Sequence, residues 1–301
     1  FVRKEWLNLN GTWDFYVGEK KYEIQVPYVC QSAMSGIGER ISEDTVIYER
    51  RAVVPKEWRD RKIRLNFGAV DYKCRVWVNG CLAGSHIGGQ TSFSFDVTEL
   101  LNWEEEIIRV EAWDPLKDER IARGKQFWEE HSQFIWYTPS TGIWQTVWME
   151  PVEETHFEWI HFTPDIDEGT VRIDYELART SCIPCPVEIA ISFKNNLVFC
   201  GNMVAKNYRQ TIIVDVFQKK ALNGSFHFTG NYWSPETPNL YDVVMTAGEG
   251  PDSHDQVAAY FGMRKVEVKN GLIYLNHKPC YQKLVLDQGY WKDSLITAPS
   301  D

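Results

Sequence analysis

The sequence predicts an all-β protein built of two sandwiches, one after the other along the chain. Three observations carry that expectation. Apolar residues recur at every second position through most of the chain, the mark of half-buried antiparallel strands. Asn79-Gly80 and Asn270-Gly271 each sit between alternating runs, the strongest short signal for a two-residue hairpin. Helical periodicity is nearly absent; its best stretch, Asp118 to Arg123, is only a turn or two long.

The strands follow in order. In KIRLNFG, Ile63, Leu65 and Phe67 share a face. In CRVWVNG, Cys74, Val76 and Val78 oppose Arg75 and Trp77, and Phe93, Phe95 and Val97 repeat the pattern. In GIWQTVWME, Ile143, Gln145, Val147 and Met149 alternate against Trp144, Thr146 and Trp148. These runs predict a first sandwich over residues 1–150, of about eight strands or more. Residues 151–262 carry TVRIDYEL, PVEIAISF, QTIIVDVF and LYDVVMTA between turn signals. That is the size and rhythm of an immunoglobulin-like sandwich, without the Cys…Trp…Cys pattern of antibody domains. Residues 263–301 hold a hairpin and then an apolar run, Leu284-Val285-Leu286, that delivers Asp287-Gln288.

Composition narrows the function. The 301 residues are 44% hydrophobic and 25% charged, a globular balance with room for two domains. Thirteen Trp suit sheet cores or flat ligand platforms. A net charge of −10 argues against nucleic acid and anionic membranes as partners. No apolar run approaches the ~18 residues of a membrane span. FVRKEWLNLNGTWDF has no apolar core of a secretory leader. The seven Cys are odd in number and show no repeated spacing, which fits a reducing cytoplasm better than a disulfide framework. Cys182 and Cys185 have C-x-x-C spacing, but Pro184, Pro186 and the flanking strands point to loop cysteines rather than a redox or zinc site. There is no Gly-rich phosphate loop, no G-x-S-x-G and no H-E-x-x-H, and no residue spacing asks for a cofactor or metal.

A set of motifs supplies what composition does not. LNGTWDF, AVDYKCRVWVNGCLAGSHIGGQTSFSFDVTELL, STGIWQTVWME, WSPETPNLYDV and FGMRKVEVKNGLIYLNHKP occur in this order. Together they resemble the non-catalytic front part of glycoside hydrolase family 2, which includes β-galactosidases, β-glucuronidases and β-mannosidases. The resemblance implies a jelly-roll sugar-binding domain, an immunoglobulin-like domain, and then a TIM barrel that hydrolyses a glycosidic bond. YLNHKPCYQKLVLD would be the lead-in and first strand of that barrel, and QGYWKDSLITAPSD its first loop. A barrel needs roughly 250 residues, and its two carboxylates would lie on later strands. The chain by itself is therefore expected to lack glycosidase activity, with no catalytic residue of its own.

The resemblance also implies a substrate-facing role in the parent enzyme for five residues. Asp287 would stand at the end of barrel strand one, beside Trp291 with Tyr290 as a sugar-stacking face. Arg123, Lys125 and Gln126, in the insertion RIARGKQFWEEHSQFIWYTPSTGIWQ, would shape the site near the barrel mouth. The plainer alternatives are a loop acid capping local backbone, packing aromatics, and a solvated loop stapled by Phe127, Trp128 and Trp136. Asp71, His86 and Trp233 read as structural: His86 lies among Gly84, Gly88 and Gly89, where tight turns offer it backbone partners. A free-standing carbohydrate-binding module or lectin is the competing reading, but it has no use for the lead-in after Gly262. An immunoglobulin-type adhesion protein would bring paired Cys. An apolar strand without neighbours seeks a partner, so Leu284 to Leu286 are expected to be ordered by another copy of the chain, as a homo-oligomer, or by docking on the second sandwich.

Overall fold

The computed structural model describes residues 1–300 except 42, 116, 130, 131, 218–230 and 249–253. Among the described residues there is no α-helix, only the short 3₁₀ turns Ala33–Ser35, Lys56–Trp58 and Thr98–Leu100. The helical stretch expected at Asp118 to Arg123 is a run of turns. It is too short to overcome the cost of nucleating a helix.

The first sandwich sets a six-stranded sheet against a four-stranded one. The six strands run Lys20–Val26, Gly11–Val17, Thr45–Ala52, Glu106–Trp113, Lys73–Val78 and Cys81–Ile87 in spatial order. The four are Leu7–Asn8, Val147–Val152, Lys62–Phe67 and Phe93–Asp96. The alternation read from the sequence decides which face goes inward. Cys74, Val76 and Val78 are buried and Arg75 is exposed; Ile63, Leu65 and Phe67 are all buried. Trp13, Phe15 and Tyr48 form the aromatic centre of this core, Phe15 and Tyr48 meeting at 4.9 Å. Burying each such side chain contributes about 1.5–3 kcal/mol.

Local chemistry sets the corners. Asn79 and Gly80 adopt φ of 52° and 80°, and Asn270 and Gly271 φ of 50° and 75°, the two left-handed positions of a hairpin turn. Glu106 is fully buried yet satisfied. Its carboxylate accepts from the Trp103 amide at 2.7 Å, the Asn102 amide at 3.0 Å and the Asn79 side chain. The alternation fails between Gly142–Ile143 and Val147–Val152, where the chain leaves the sheet, Gln145 is exposed and Trp144 is buried.

The second sandwich packs a three-stranded sheet (Phe157–Asp165, Thr170–Leu177, Arg209–Asp215) on a four-stranded one (Asn196–Ala205, Cys185–Phe193, Tyr241–Ala247, Asp255–Phe261). Tyr175, Ile189, Met245 and Val257 lie in its core. Trp233 is structural as expected: its backbone amide bonds Met263 O at 2.9 Å, its carbonyl accepts from Asn276, and the Arg264 guanidinium lies over its ring. The hairpin of Val266–Lys269 and Leu272–Leu275 follows, with Lys278–Pro279 as a third short strand. All seven cysteines are free.

The compact units divide the ends of the chain differently from the sequence boundaries. One unit is Phe1–Lys4 with Val152–Val285; the other is Glu5–Pro151 with Leu286–Asp301. Two expectations for the tail are thereby corrected. Leu284, Val285 and Leu286 form no strand and stay 78%, 91% and 85% exposed: a central parallel strand needs partners on both edges, and no strand among the described residues pairs with them. The residues beyond dock on the first sandwich, not the second, since that is where a matching apolar patch lies. Leu295 and Ile296 pack against Val29, Ala69 and Trp144.

Candidate functional site

The docked tail closes one side of a pocket of about 630 Å³ within the unit of Glu5–Pro151 and Leu286–Asp301. The opposite side comes from the insertion that follows strand Glu106–Trp113. Backbone bonds from Tyr137 N to Lys125 O (2.8 Å) and Phe127 N to Tyr137 O (2.9 Å) close that insertion on itself. Phe127, Trp128 and Trp136 staple it, with ring centres 5.0 to 6.0 Å apart. Glu130 and His131 of this insertion lie outside the described residues. Tyr290 of the tail stacks on Tyr137 at 4.1 Å and 7° between planes, and the Lys125 ammonium donates to Gln288 Oε1 at 2.5 Å. Trp144 forms part of the lining; its indole N–H donates to Gly89 O at 2.7 Å. The wall therefore offers cations, a carboxylate and aromatic faces together: Arg123, Lys125, Asp287, Tyr290, Trp291 and Trp144.

A buried polar network adjoins the pocket. Gln126 Nε2 donates to Asp71 Oδ2 at 2.6 Å, and Gln126 Oε1 accepts from the Ser140 amide at 2.5 Å. Thr141 donates its hydroxyl to Asp114 Oδ2 at 2.8 Å and accepts from Gln31 at 3.1 Å. Burial, with the nearby Asp114 charge, pushes the Asp71 carboxyl up to about 7. Burial likewise pushes Asp114 up to about 6. The Arg123 guanidinium opposes both shifts; its Nη2 donates to Pro115 O at 3.0 Å and Asp118 O at 2.5 Å. Burial raises the Tyr290 phenol to about 12, with the Asp71 charge adding to the effect, so this group is a neutral hydroxyl at pH 7. A Cβ on Gly89 would run into the Asp71 carboxyl. Only glycine leaves room there.

Four of the five residues singled out in the sequence line the pocket: Arg123, Lys125, Asp287 and Trp291. Gln126 does not. It is 2% exposed and turned inward, its side-chain amide held between the Asp71 carboxyl and the Ser140 amide. Asp287 also does the work of a loop acid, its Oδ1 accepting from the Gly289 amide at 2.8 Å. His86 makes the local partnerships expected of it, with Thr91 Oγ1 at 3.0 Å, Gly88 O at 3.2 Å and the stacked Phe93 ring. Sequence reasoning missed Trp144 as a pocket residue and Asp114 altogether. It read Asp71 as structural only. The usable signal at Trp144 was an indole on the polar side of a strand whose pattern breaks at the exposed Gln145.

Comparison with known proteins agrees with this architecture. Residues 9–147 match the model of the glycosyl hydrolases family 2 sugar binding domain, and residues 155–264 match a second model of glycosyl hydrolases family 2. A putative beta-glucuronidase of Formosa agariphila is 28% identical over 240 residues, covering 77% of this chain and 26% of the relative. A beta-galactosidase of Thermoanaerobacter pseudethanolicus is 24% identical over 240 residues, covering 77% of this chain and 30% of the relative. The chain thus spans less than a third of the length of these two relatives. Among solved structures, the beta-D-glucuronidase of Dictyoglomus thermophilum superposes with a TM-score of 0.74 at 19% identity, over 98% of this chain and 50% of that one. The beta-glucuronidase of Ruminococcus gnavus gives 0.75 at 17%, over 99% and 52%. The two matched models account for most of the sequence and for both sandwiches, and the chain belongs to glycoside hydrolase family 2.

Proposed function

We propose that this chain is the non-catalytic N-terminal part of an enzyme that hydrolyses O-glycosidic bonds of carbohydrates, and that its pocket forms one flank of the substrate site. The observation that carries the reading is the convergence of Arg123, Lys125, Asp287 and Trp291 on one pocket, from segments about 160 residues apart in a family 2 chain. A sugar needs charged or polar groups for its hydroxyls and a flat apolar face for its C–H surface. Lys125 and Asp287 offer the first, Trp291 the second.

Hydrolysis in the parent would use the retaining two-carboxylate mechanism, in which the acid/base and the nucleophile stand about 5–5.5 Å apart. Asp71 and Asp114 are poor candidates for that pair, being buried and engaged with Gln126 and Thr141. In this reading both catalytic groups belong to the barrel. Such an enzyme acts on a β-glucuronide, a β-galactoside or a related β-glycoside, the activities for which its relatives are named.

The test is a panel of p-nitrophenyl glycosides given to the 301-residue chain and to the longer protein that carries it. Turnover is expected from the longer protein alone. Hydrolysis by the purified chain would overturn the non-catalytic assignment, and a longer protein inert toward every glycoside would overturn the glycosidase reading.

A further inference from the structure

The tail from Asp287 to Thr297 is held by the Tyr290–Tyr137 stack and by polar anchors near its two ends, and those two anchors differ in kind. Near its start, Lys125 meets Gln288 at an exposed position. An exposed side-chain contact of this sort is weak and readily exchanged for water. Near its end, Trp291 N bonds Leu295 O at 2.8 Å and Leu295 N bonds Trp291 O at 3.1 Å, closing a five-residue loop with Ser294 buried inside it. The Met34 amide bonds Asp293 O at 3.1 Å. Thr297, itself buried, places its Oγ1 2.7 Å from Trp144 O and 3.2 Å from Pro27 O. A hydroxyl has one proton, so the nearer Trp144 carbonyl takes the main bond. Trp144 and Ile296 both line the pocket, so the Thr297 bond joins the loop directly to the opposite wall.

We propose that Thr297 is a positioning residue for the pocket: its buried hydroxyl fixes the 287–297 loop to the Trp144 backbone and so sets where Asp287, Tyr290 and Trp291 stand. The first sandwich then acts as a template for this loop. The catalytic consequence rests on the glycosidase reading above; the anchoring does not. A buried bond is the one that matters here, because its loss leaves a carbonyl without its partner, a larger cost than losing an exposed contact.

Two variants separate anchoring from mere packing. Thr297→Val keeps the shape and removes the donor; Thr297→Ser keeps the donor and trims a methyl. In the 301-residue chain, hydrogen exchange at the Met34, Trp291 and Leu295 amides is expected to speed up about tenfold in Thr297→Val, the loss of one buried hydrogen bond, and to stay near wild type in Thr297→Ser. Val76 and Val110, on core strands, are expected not to change. In the longer enzyme, Thr297→Val is expected to raise KM for p-nitrophenyl β-D-glucuronide or β-D-galactoside about fivefold or more, at an unchanged melting temperature, with Thr297→Ser restoring it. Unchanged exchange at the three amides would overturn the proposal. So would a uniform rise that includes Val76 and Val110, or a loosened loop with an unaltered KM. If the wild-type longer protein hydrolyses nothing, the glycosidase reading fails and the exchange measurements alone decide the anchoring.

Discussion

The two sandwiches bury charge in different ways. In the second, the Arg3 guanidinium grips Asp255 through two bonds, Nε to Oδ1 at 2.7 Å and Nη2 to Oδ2 at 2.9 Å. Asp255 Oδ2 also accepts from the Phe157 amide at 2.9 Å, and Arg3 Nη2 donates to Phe157 O at 2.8 Å. These two charges meet each other, and the arrangement is closed. In the first sandwich, Asp71 and Asp114 are buried against neutral partners, Gln126 and Thr141, with Arg123 near both. Two carboxyls sharing the field of one guanidinium cannot both ionise cheaply, and this network adjoins the pocket. A closed clamp serves stability; an unbalanced buried network beside a cavity is the pattern of a functional region.

The largest effect expected from breaking this contrast is in the clamp. Arg3→Ala leaves Asp255 buried without its counter-charge and is expected to destabilise the second sandwich by about 3–5 kcal/mol. Urea unfolding followed by hydrogen exchange at the Val243 and Val257 amides measures it, and the first sandwich should be unaffected. A loss under 1 kcal/mol would mean the clamp is ornamental. Next comes Gly89→Ala. The new methyl meets the Asp71 carboxyl and is expected to cost the first sandwich about 1–3 kcal/mol through forced shifts in a packed site, read as a lower melting temperature.

The pH dependence has a definite sign. Asp71 and Asp114 hold their protons up to about 7 and about 6 in the fold, while the unfolded chain releases them near 4. Between those values unfolding releases protons, so their contribution to the stability of the first sandwich is present in full below pH 4 and is lost as pH rises to 7. Each group adds a slope of at most about 1.4 kcal/mol per pH unit. Asp71→Asn keeps the acceptor for Gln126 and is expected to flatten the fall between pH 4 and 7. Urea midpoints across that range decide it; an unchanged slope would show that Asp71 ionises as an ordinary carboxyl. Smallest in stability is Lys125→Ala, exposed and worth no more than about 0.5 kcal/mol. In the glycosidase proposed above it is expected to raise KM for the glycoside severalfold, which steady-state kinetics measures.

Much of the fold was legible because strand alternation is local. Cys74, Val76 and Val78 face inward for the same reason that Arg75 faces out, and the Asn79-Gly80 and Asn270-Gly271 turns need only two residues to declare themselves. The site was legible in part. Arg123 and Lys125 were singled out from the family resemblance and from a loop too long and too aromatic to be a plain connection, and both line the pocket. Gln126 was misplaced because its side of the segment depends on Asp71, 55 residues earlier. Asp114 was missed because nothing near it in sequence marks it apart from loop residues, and Trp144 because the break beside Gln145 shows its consequence only in the folded chain.

Sequence alone determined the all-β class, the two sandwiches and the family, since each depends on periodicity, turn chemistry and ordered motifs within short windows. Only the tertiary structure decided where the ends of the chain go and what the pocket contains. Phe1–Lys4 completes the second sandwich and Leu286–Asp301 completes the first. The Tyr137–Tyr290 stack, the Thr297–Trp144 bond and the Arg3–Asp255 pair join residues 153, 153 and 252 positions apart. Contacts at that separation arise from shape and burial in the folded chain, and no local pattern encodes them.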